Sequence, residues 1–376
     1  MGKIMKILFV LPYTSLPVPA TKGGAIETLL TILLQENEVA ERFEFVFICP
    51  DDIETTTQYK KSTVYIINNF NDNYEYDYKA ASIAKKEKPD YIIMEGFALR
   101  LDGCFRNIVR KKNIAIHIHS EFERRGVFAD SFGVTIATSH YIAKKWNSNS
   151  KENEKNTFIL SNSINMELFK RNLTDSDYKS LRKEIGFKDD DFVVIFCGRI
   201  IDVKGVKEAI EAIEKIDDES VKQLIIGSDS FANGNNGEYA NEVIKKVNTL
   251  GGKVFYKGYV PNDELWKWYK CSNLQLIPSL CEEAFGRVAV EGMASGLPIV
   301  YTDSGALPEV VAEAGEMIIR NKEMVNQIES KILYLKNNPQ RIKKMIEIGK
   351  QRVKKYSSAY YYDNFCSLMD WWRTSL

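Results

Sequence analysis

Residues 278–311 read PSLCEEAFGRVAVEGMASGLPIVYTDSGALPEVV. A helical pattern, RVAVEGMASG, lies between two short apolar runs, NLQLIPS before it and LPIVYTD after it. Runs of this length, rich in β-branched and aliphatic residues, read as buried parallel strands. A helix joining two such strands is the repeating unit of an α/β layer fold.

The same order extends outward from this stretch. Towards the N-terminus of the second half, DFVVIFCGRI, VKQLIIGSD and KVFYKGYV read as strands. The segments VKEAIEAIEKI, GEYANEVIKKVNTL and PNDELWKWYKCS read as the helices between them. The first half repeats the plan. KILFV is followed by a helix that opens at Gly24, then by FEFVFICP, STVYII, YIIMEG, IAIHIHS and VTIATS. We therefore expect two Rossmann-like, doubly wound α/β domains facing a central cleft, a common place for ligands. The first spans 1–168 and the second 169–356, with SNSINMELFKRNLTDSD as the connection. The tail, 357–376, carries so many aromatic residues that it should pack on a neighbour, as a C-terminal helix returning to the first domain.

Bulk properties narrow the function classes. The chain has 376 residues, 44% hydrophobic and 27% charged, enough to bury real cores. Lysine plus arginine equals aspartate plus glutamate at 51 each, a balance that argues against a nucleic-acid binder. No apolar run reaches the length of a membrane span, and Ile7 to Leu11 is too short for a signal-peptide core. The six cysteines, Cys49, Cys104, Cys197, Cys271, Cys281 and Cys366, form no CxxC pair and read as reduced thiols of a cytoplasmic protein. His117, His119 and His140 lack ligand spacing with them, so no metal is expected.

Four constellations carry candidate chemistry. Glu283 stands before the helix that starts near Gly286, and Glu291 is expected two turns inside it. A carboxylate beside the free amides of a helix N-terminus can hold sugar hydroxyls, and an ionised Glu291 could accept both hydroxyls of a ribose. In CGRIIDVKG, Arg199 and Lys204 follow a strand end, where a doubly wound sheet binds ligands, and could neutralise a diphosphate. In ATKGGAIE, Gly23 and Gly24 let the backbone approach a ligand ahead of a helix N-terminus. Neither GxGxxG nor a P-loop is present, which sets dehydrogenases and ATPases aside. His119 ends the strand IAIHIHS and could bond a sugar hydroxyl across the cleft. His117 has the same parity but lies deeper and reads as core.

Together these segments resemble glycosyltransferase family 4, whose members have the GT-B architecture. EAFGRVAVE, the G-R…K of CGRIIDVKG and the N-terminal glycine pair carry the resemblance. HS at His119, SNSINMELF at the linker and SGALPEVV near Pro308 follow in the family's order. Within the family, EEAF, HIHSEF and SDSFANGNNGEY are similar to bacterial lipopolysaccharide-core and surface-polysaccharide enzymes, an N-acetylglucosaminyltransferase group among them. The resemblance implies a metal-independent, cofactor-free, retaining transferase that uses a nucleotide sugar. UDP is the implied nucleotide, and N-acetylglucosamine, glucose or galactose the sugar. Arg199 and Lys204 would bind the diphosphate, and Gly198 and Arg287 would also belong to the donor-binding set. Glu283 would hold the donor sugar, helped by amides of Ala284, Phe285 and Gly286, and His119 would contact it. Glu291 would hold the ribose, Gly258 and Tyr259 the base, and Gly23 and Gly24 would approach the phosphate and the acceptor. The family often has a glycine pair where this chain has Ser304-Gly305-Ala306, and Asn-Gly where it has Asn162-Ser163, which puts local loop geometry in question.

Two other readings share this architecture: a UDP-sugar 2-epimerase, which needs no acceptor, and a non-catalytic saccharide-binding protein. A last expectation concerns 99–112. Read as a helix, Leu101, Phe105, Ile108 and Val109 share one side, with Arg100, Arg106, Arg110, Lys111 and Lys112 around it. Such a basic face could make peripheral contact with the inner membrane, where a lipid-linked saccharide acceptor would be met.

Overall fold

The computed structural model describes residues 4–20, 24–96, 102–105, 107–121, 132–148, 156–229 and 237–375. The chain divides into two compact units, Met1–Ser163 with Ser358–Leu376, and Ile164–Ser357.

The first unit is built on eight strands: β1 (Met5–Val10), β2 (Phe43–Pro50), β3 (Thr55–Gln58), β4 (Ser62–Ile67), β5 (Tyr91–Glu95), β6 (Ile114–Ile118), β7 (Val134–Ala137) and β8 (Thr157–Ile159). Their order across the sheet is β3-β4-β2-β1-β5-β6-β7-β8, parallel throughout except for the antiparallel β3–β4 pair. The second unit has six parallel strands: β9 (Phe192–Cys197), β10 (Val221–Ile226), β11 (Val254–Gly258), β12 (Leu274–Ile277), β13 (Ile299–Thr302) and β14 (Gly315–Ile318). Their order is β11-β10-β9-β12-β13-β14. Each sheet has its own apolar core, and the central strands are buried on both faces. This is why their sequences are continuous apolar runs rather than alternating ones.

Helices cover the sheets through apolar stripes. In Val206–Lys215 the buried positions are Val206, Ala209, Ile210, Ala212 and Ile213, which recur at helical spacing. The C-terminal helix, Ser358–Ser375, belongs to the first unit and packs against the helix Ala25–Ala40. Its Phe365 ring meets Phe43 and Phe45 edge-on at 5.8 Å. Trp372 is fully buried, and its indole Nε1 donates to the Lys112 carbonyl at 2.7 Å. The aromatic density of the tail is thus spent on the core of the first sheet.

The expected amphipathic helix over 99–112 is not formed. Asp102–Phe105 makes one helical turn, 107–110 is turn and bend, and Lys111–Asn113 is a single 3-10 turn leading into β6. Phe105 is buried, whereas Ile108 and Val109 lie on the turn, so these three apolar residues do not share a helical stripe. Residues 97–101 and 106, with Arg100, Leu101 and Arg106, lie outside the described residues.

Candidate functional site

In the second unit, successive strands leave β9 in one direction, towards β10 and β11, and leave β12 in the other, towards β13 and β14. The winding reverses between β9 and β12. Loops at the carboxyl ends of strands flanking such a reversal diverge and leave a crevice for ligands. The loop after β9 carries Gly198, Arg199 and Lys204. The loop after β12 carries Glu283 to Gly286.

These two loops are fastened together. The Val203 carbonyl accepts the amides of Leu280 at 2.9 Å and Cys281 at 3.2 Å. Gly205, at φ 70°, turns so closely under the second loop that a Cβ there would collide with the Pro278 carbonyl. The Lys204 ammonium then reaches Glu283 Oε1 at 2.6 Å, and the Ser279 hydroxyl donates to the same oxygen at 2.5 Å. Both partners of this ion pair are mostly buried, at 18% and 16% side-chain exposure, so water screens it less than a surface pair.

The loop after β13 completes the frame. The Ser304 hydroxyl accepts the Glu283 amide at 3.0 Å and donates to the Cys281 carbonyl, and the Ala306 amide donates to the Glu283 carbonyl at 2.8 Å. Gly305 has φ 50°, and a Cβ there would strike the Glu283 backbone. The departure at Ser304-Gly305-Ala306 therefore keeps glycine where the approach demands it. The serine adds a tie to the loop that holds Glu283. A second ion pair braces the outside, with Arg320 meeting Glu282 at 2.8 Å and Asp303 at 3.0 Å.

Gly286, at φ 89°, opens the helix Arg287–Ser295. Glu291 lies one turn inside this helix rather than two, and it is buried. The Tyr269 hydroxyl donates to it at 3.2 Å. Burial raises its pKa, opposed by the nearby Arg287 guanidinium and by the Tyr269 bond. Arg287 Nε is itself buried with no hydrogen-bond partner among the described residues. Arg199 projects into solvent from the loop after β9. Phe285 is buried edge-on against Tyr356 at 5.4 Å, so it offers its amide and not its ring. Gly258 ends β11 with φ 80°, its carbonyl accepting the Gly227 amide at 2.9 Å, and Tyr259 beyond it is largely exposed.

The first unit has its own reversal, between β1 and β5. Gly24 follows β1 and opens the helix Ala25–Ala40, whose Glu27 turns back to accept the Leu16 amide at 2.9 Å. Gly23 lies outside the described residues. At the ends of β5 and β6 stands a group that the sequence reading missed. Glu95 is buried, and its Oε2 lies 2.6 Å from His119 Nε2 and 3.0 Å from His117 Nδ1. The two imidazoles are 4.0 Å apart by centroid. His117 is therefore part of a polar cluster and not plain apolar core. The register that pairs Glu95 with His117 across β5 and β6 could have been anticipated from YIIMEG and IAIHIHS, both ending in polar residues after apolar runs.

Burial and the neighbouring His117 lower the His119 pKa to about 4, against the pull of Glu95. Glu95 is held down at about 2 by the two histidines despite its burial. His119 Nδ1 and His117 Nε2 are buried with no hydrogen-bond partner among the described residues. The three side chains bring potential ligand atoms within 4.8 Å of one another, a set that histidine–cysteine spacing alone does not reveal.

Residues 177–352, within the second unit, match the family described as Glycosyl transferases group 1, and this part of the chain carries that domain. Over 228 residues the chain is 25% identical to a lipopolysaccharide 1,2-N-acetylglucosaminetransferase of Salmonella typhimurium, covering 60% of this chain and 58% of that protein. The chain thus spans little more than half the length of this curated relative. Among solved structures, a glycosyltransferase of Rickettsia africae superimposes with a TM-score of 0.80 at 18% identity, covering all of both chains. HepE of Anabaena in complex with UDP superimposes with a TM-score of 0.75 at 18% identity, covering 97% of this chain and all of that one. The fold is that of GT-B glycosyltransferases.

Proposed function

We propose that the chain is a retaining glycosyltransferase. It moves a hexose or N-acetylhexosamine from a UDP-sugar to a saccharide acceptor, in the synthesis of bacterial lipopolysaccharide or another surface polysaccharide. The observation that carries this reading is the fastened pair of loops at the β9/β12 reversal. They present Lys204, Glu283 and a helix N-terminus together inside the region that matches the Glycosyl transferases group 1 family. The lipopolysaccharide enzyme of Salmonella and the UDP complex of HepE support the choice of acceptor class and nucleotide.

In this reaction the bond between the anomeric carbon and the β-phosphate oxygen breaks. The acceptor hydroxyl forms the new bond on the same face, and its proton passes to a phosphate oxygen. Negative charge grows on the leaving diphosphate, where fixed cations and amides lower the barrier most. An ammonium has three donors, so Lys204 can keep Glu283 and still bind a phosphate oxygen. Arg199, free in solvent, supplies a planar fork for the same group. Glu283, aimed by Ser279 and Ser304, accepts hydroxyls of the donor sugar, which His119 also contacts. Glu291 accepts the ribose hydroxyls, and the Gly258–Tyr259 backbone meets the base. Because side chains and amides supply the positive charge, the reaction needs no divalent metal or other cofactor. A lipid-linked acceptor would be met at the cytoplasmic face of the inner membrane by peripheral contact. No helix among the described residues is long and apolar enough to cross a membrane.

The test is a panel of UDP-sugars with and without oligosaccharide acceptors, assayed with and without EDTA. Acceptor-dependent release of UDP that survives EDTA and gives a product of retained configuration is the expected result. Conversion of the donor sugar without acceptor would favour the epimerase, and activity restored only by manganese or magnesium would overturn the metal-free mechanism.

A further inference from the structure

We propose that Glu95 is a positioning residue for His119. Its carboxylate holds the imidazole in the tautomer that carries the proton on Nε2, and so presents Nδ1 as an acceptor for a ligand hydroxyl. The inference rests on the proposed contact between His119 and a donor sugar, and it names the group that sets the chemistry of that contact.

The argument begins with proton accounting. An ionised carboxylate can only accept, so the 2.6 Å contact between Glu95 Oε2 and His119 Nε2 requires the proton to lie on Nε2. Glu95 is fully buried and faces both histidines, which keep it ionised through the neutral range. His119 stays neutral down to about pH 4. With one proton on the ring and that proton committed to Glu95, Nδ1 carries a lone pair. It is buried and has no partner among the described residues. Such a nitrogen accepts from an O–H or N–H and repels an ionised phosphate, which has only lone pairs to offer. The ligand moiety that fits is therefore an uncharged polyol, the sugar and not the diphosphate.

His117 reinforces the geometry. Its Nδ1 lies 3.0 Å from the same Glu95 oxygen, and its placement on β6 opposite Glu95 is fixed by the sheet register. The carboxylate is thus anchored on the strand side by one imidazole and turns the other. A metal ion is the competing account of two histidines and a glutamate. Ligand atoms around a tetrahedral zinc with bonds of about 2.0–2.1 Å stand about 3.3 Å apart. The observed 2.6 and 3.0 Å are hydrogen-bond separations, and a metal would have to push these groups apart.

The chain has three histidines, so nitrogen NMR of the full-length protein labelled with ¹⁵N-histidine gives a spectrum that His117→Gln, His119→Gln and His140→Gln variants assign. At pH 7 the wild type should show His119 protonated on Nε2 alone. Glu95→Gln replaces a pure acceptor by an amide that both donates and accepts, and should give mixed tautomers. It should also lower kcat for transfer roughly ten- to a hundredfold while KM for the nucleotide sugar changes little. A His119 protonated on Nδ1 in the wild type, or a Glu95→Gln enzyme with unchanged kcat, would overturn the assignment. So would one equivalent of Zn²⁺ that shifts both histidines. The wild-type spectrum decides the tautomer even where the variant fails to fold. If the tautomer is as stated and no UDP-sugar is turned over, the fault lies with the proposed activity and not with the role of Glu95 towards His119.

Discussion

At the reversal of the second sheet, the charged residues sit on loops, and several are paired: Lys204 with Glu283, Arg320 with Glu282 and Asp303. At the reversal of the first sheet they sit at strand ends, share one carboxylate and leave two ring nitrogens unpaired. Both sheets use the same topological opening, yet one gathers full charges on loops and the other a buried carboxylate between two imidazoles. The difference follows from where each set is anchored. A loop borne by glycines such as Gly205 can fold a lysine onto a glutamate. A strand register can only set side chains side by side and bury them.

The largest expected effect tests whether the first unit depends on the tail that returns to it. Trp372 is fully buried, meets Tyr91 at 4.8 Å and donates to the Lys112 carbonyl. Trp372→Ala should cost about 3–5 kcal/mol. Hydrogen exchange should show protection falling along β1, β2 and β5. Unchanged exchange in those strands would mean that the helix is an ornament and the sheet core is self-sufficient.

Next come the cations of the second unit. Lys204→Ala and Arg199→Ala should each lower turnover roughly a hundredfold, about 3 kcal/mol of lost stabilisation of the leaving group, with the fold retained by circular dichroism. Lys204→Ala should be the more disruptive of the two, because it also leaves Glu283 mostly buried with only the Ser279 hydroxyl at that oxygen. Near-normal rates in both variants would detach these residues from the diphosphate.

The two glutamates of the same helix region should separate in kinetics. Glu283→Gln is expected to lower kcat about tenfold or more, since its partner reacts. Glu291→Gln should chiefly raise KM, since the ribose does not react. Glu291 also has a stability signature. Its raised pKa means the folded state disfavours the ionised form. The wild type is therefore penalised at neutral pH and relieved as pH falls through that raised pKa, the relief being complete at the ordinary carboxylate value. Glu291→Gln removes that penalty, so it should melt at or slightly above the wild-type temperature at pH 7, with the gap closing at pH 4. A clear loss of stability at pH 7 would show that the Tyr269 bond outweighs the burial cost.

These contrasts explain what could be read from sequence. The long apolar runs of the central strands disclosed two parallel sheets, and the spacing of Arg199, Lys204, Glu283 and Glu291 disclosed the charged loops. Strands β3, β8 and β14 escaped notice. All three are at sheet edges and short; TTTQ is wholly polar and exposed, TFI is only half-buried, and GEMI buries just its two ends, so none writes a long apolar run into the sequence. The stretch 99–112 misled for the opposite reason. Its apolar residues matched a helical period, but of those described Phe105 is buried in the core while Ile108 and Val109 lie on a turn. Glu95 was passed over because a lone glutamate after YIIM carries no motif. Its partners lie 22 and 24 residues away, and only the strand register brings them together.

The smallest expected effect is the pH response of the first unit, and its sign can be fixed in advance. His119 has a folded pKa of about 4, well under the ordinary imidazole value of 6.5. A histidine depressed in this way contributes no penalty above pH 6.5, where neither state is protonated. Below that the unfolded chain takes up a proton that the folded chain refuses, and stability falls until the folded pKa is passed. The groups facing His119 are Glu95 and His117, and Tyr361 from the C-terminal helix faces Glu95. Glu95, held at about 2, begins to lose its own contribution only below the ordinary carboxylate value near 4.5. The window between pH 6.5 and 5 therefore leaves the Glu95 carboxylate out of the slope of the first unit. Over those 1.5 units the loss should approach about 2 kcal/mol, or roughly 5 °C in the melting of a unit of this size. His119→Gln should flatten that slope while leaving the fall below pH 4.5 in place. A wild-type melting temperature that stays level from pH 7 to 5 would mean that the imidazole is reached by water and that the contrast between the two units is weaker than their hydrogen bonds suggest.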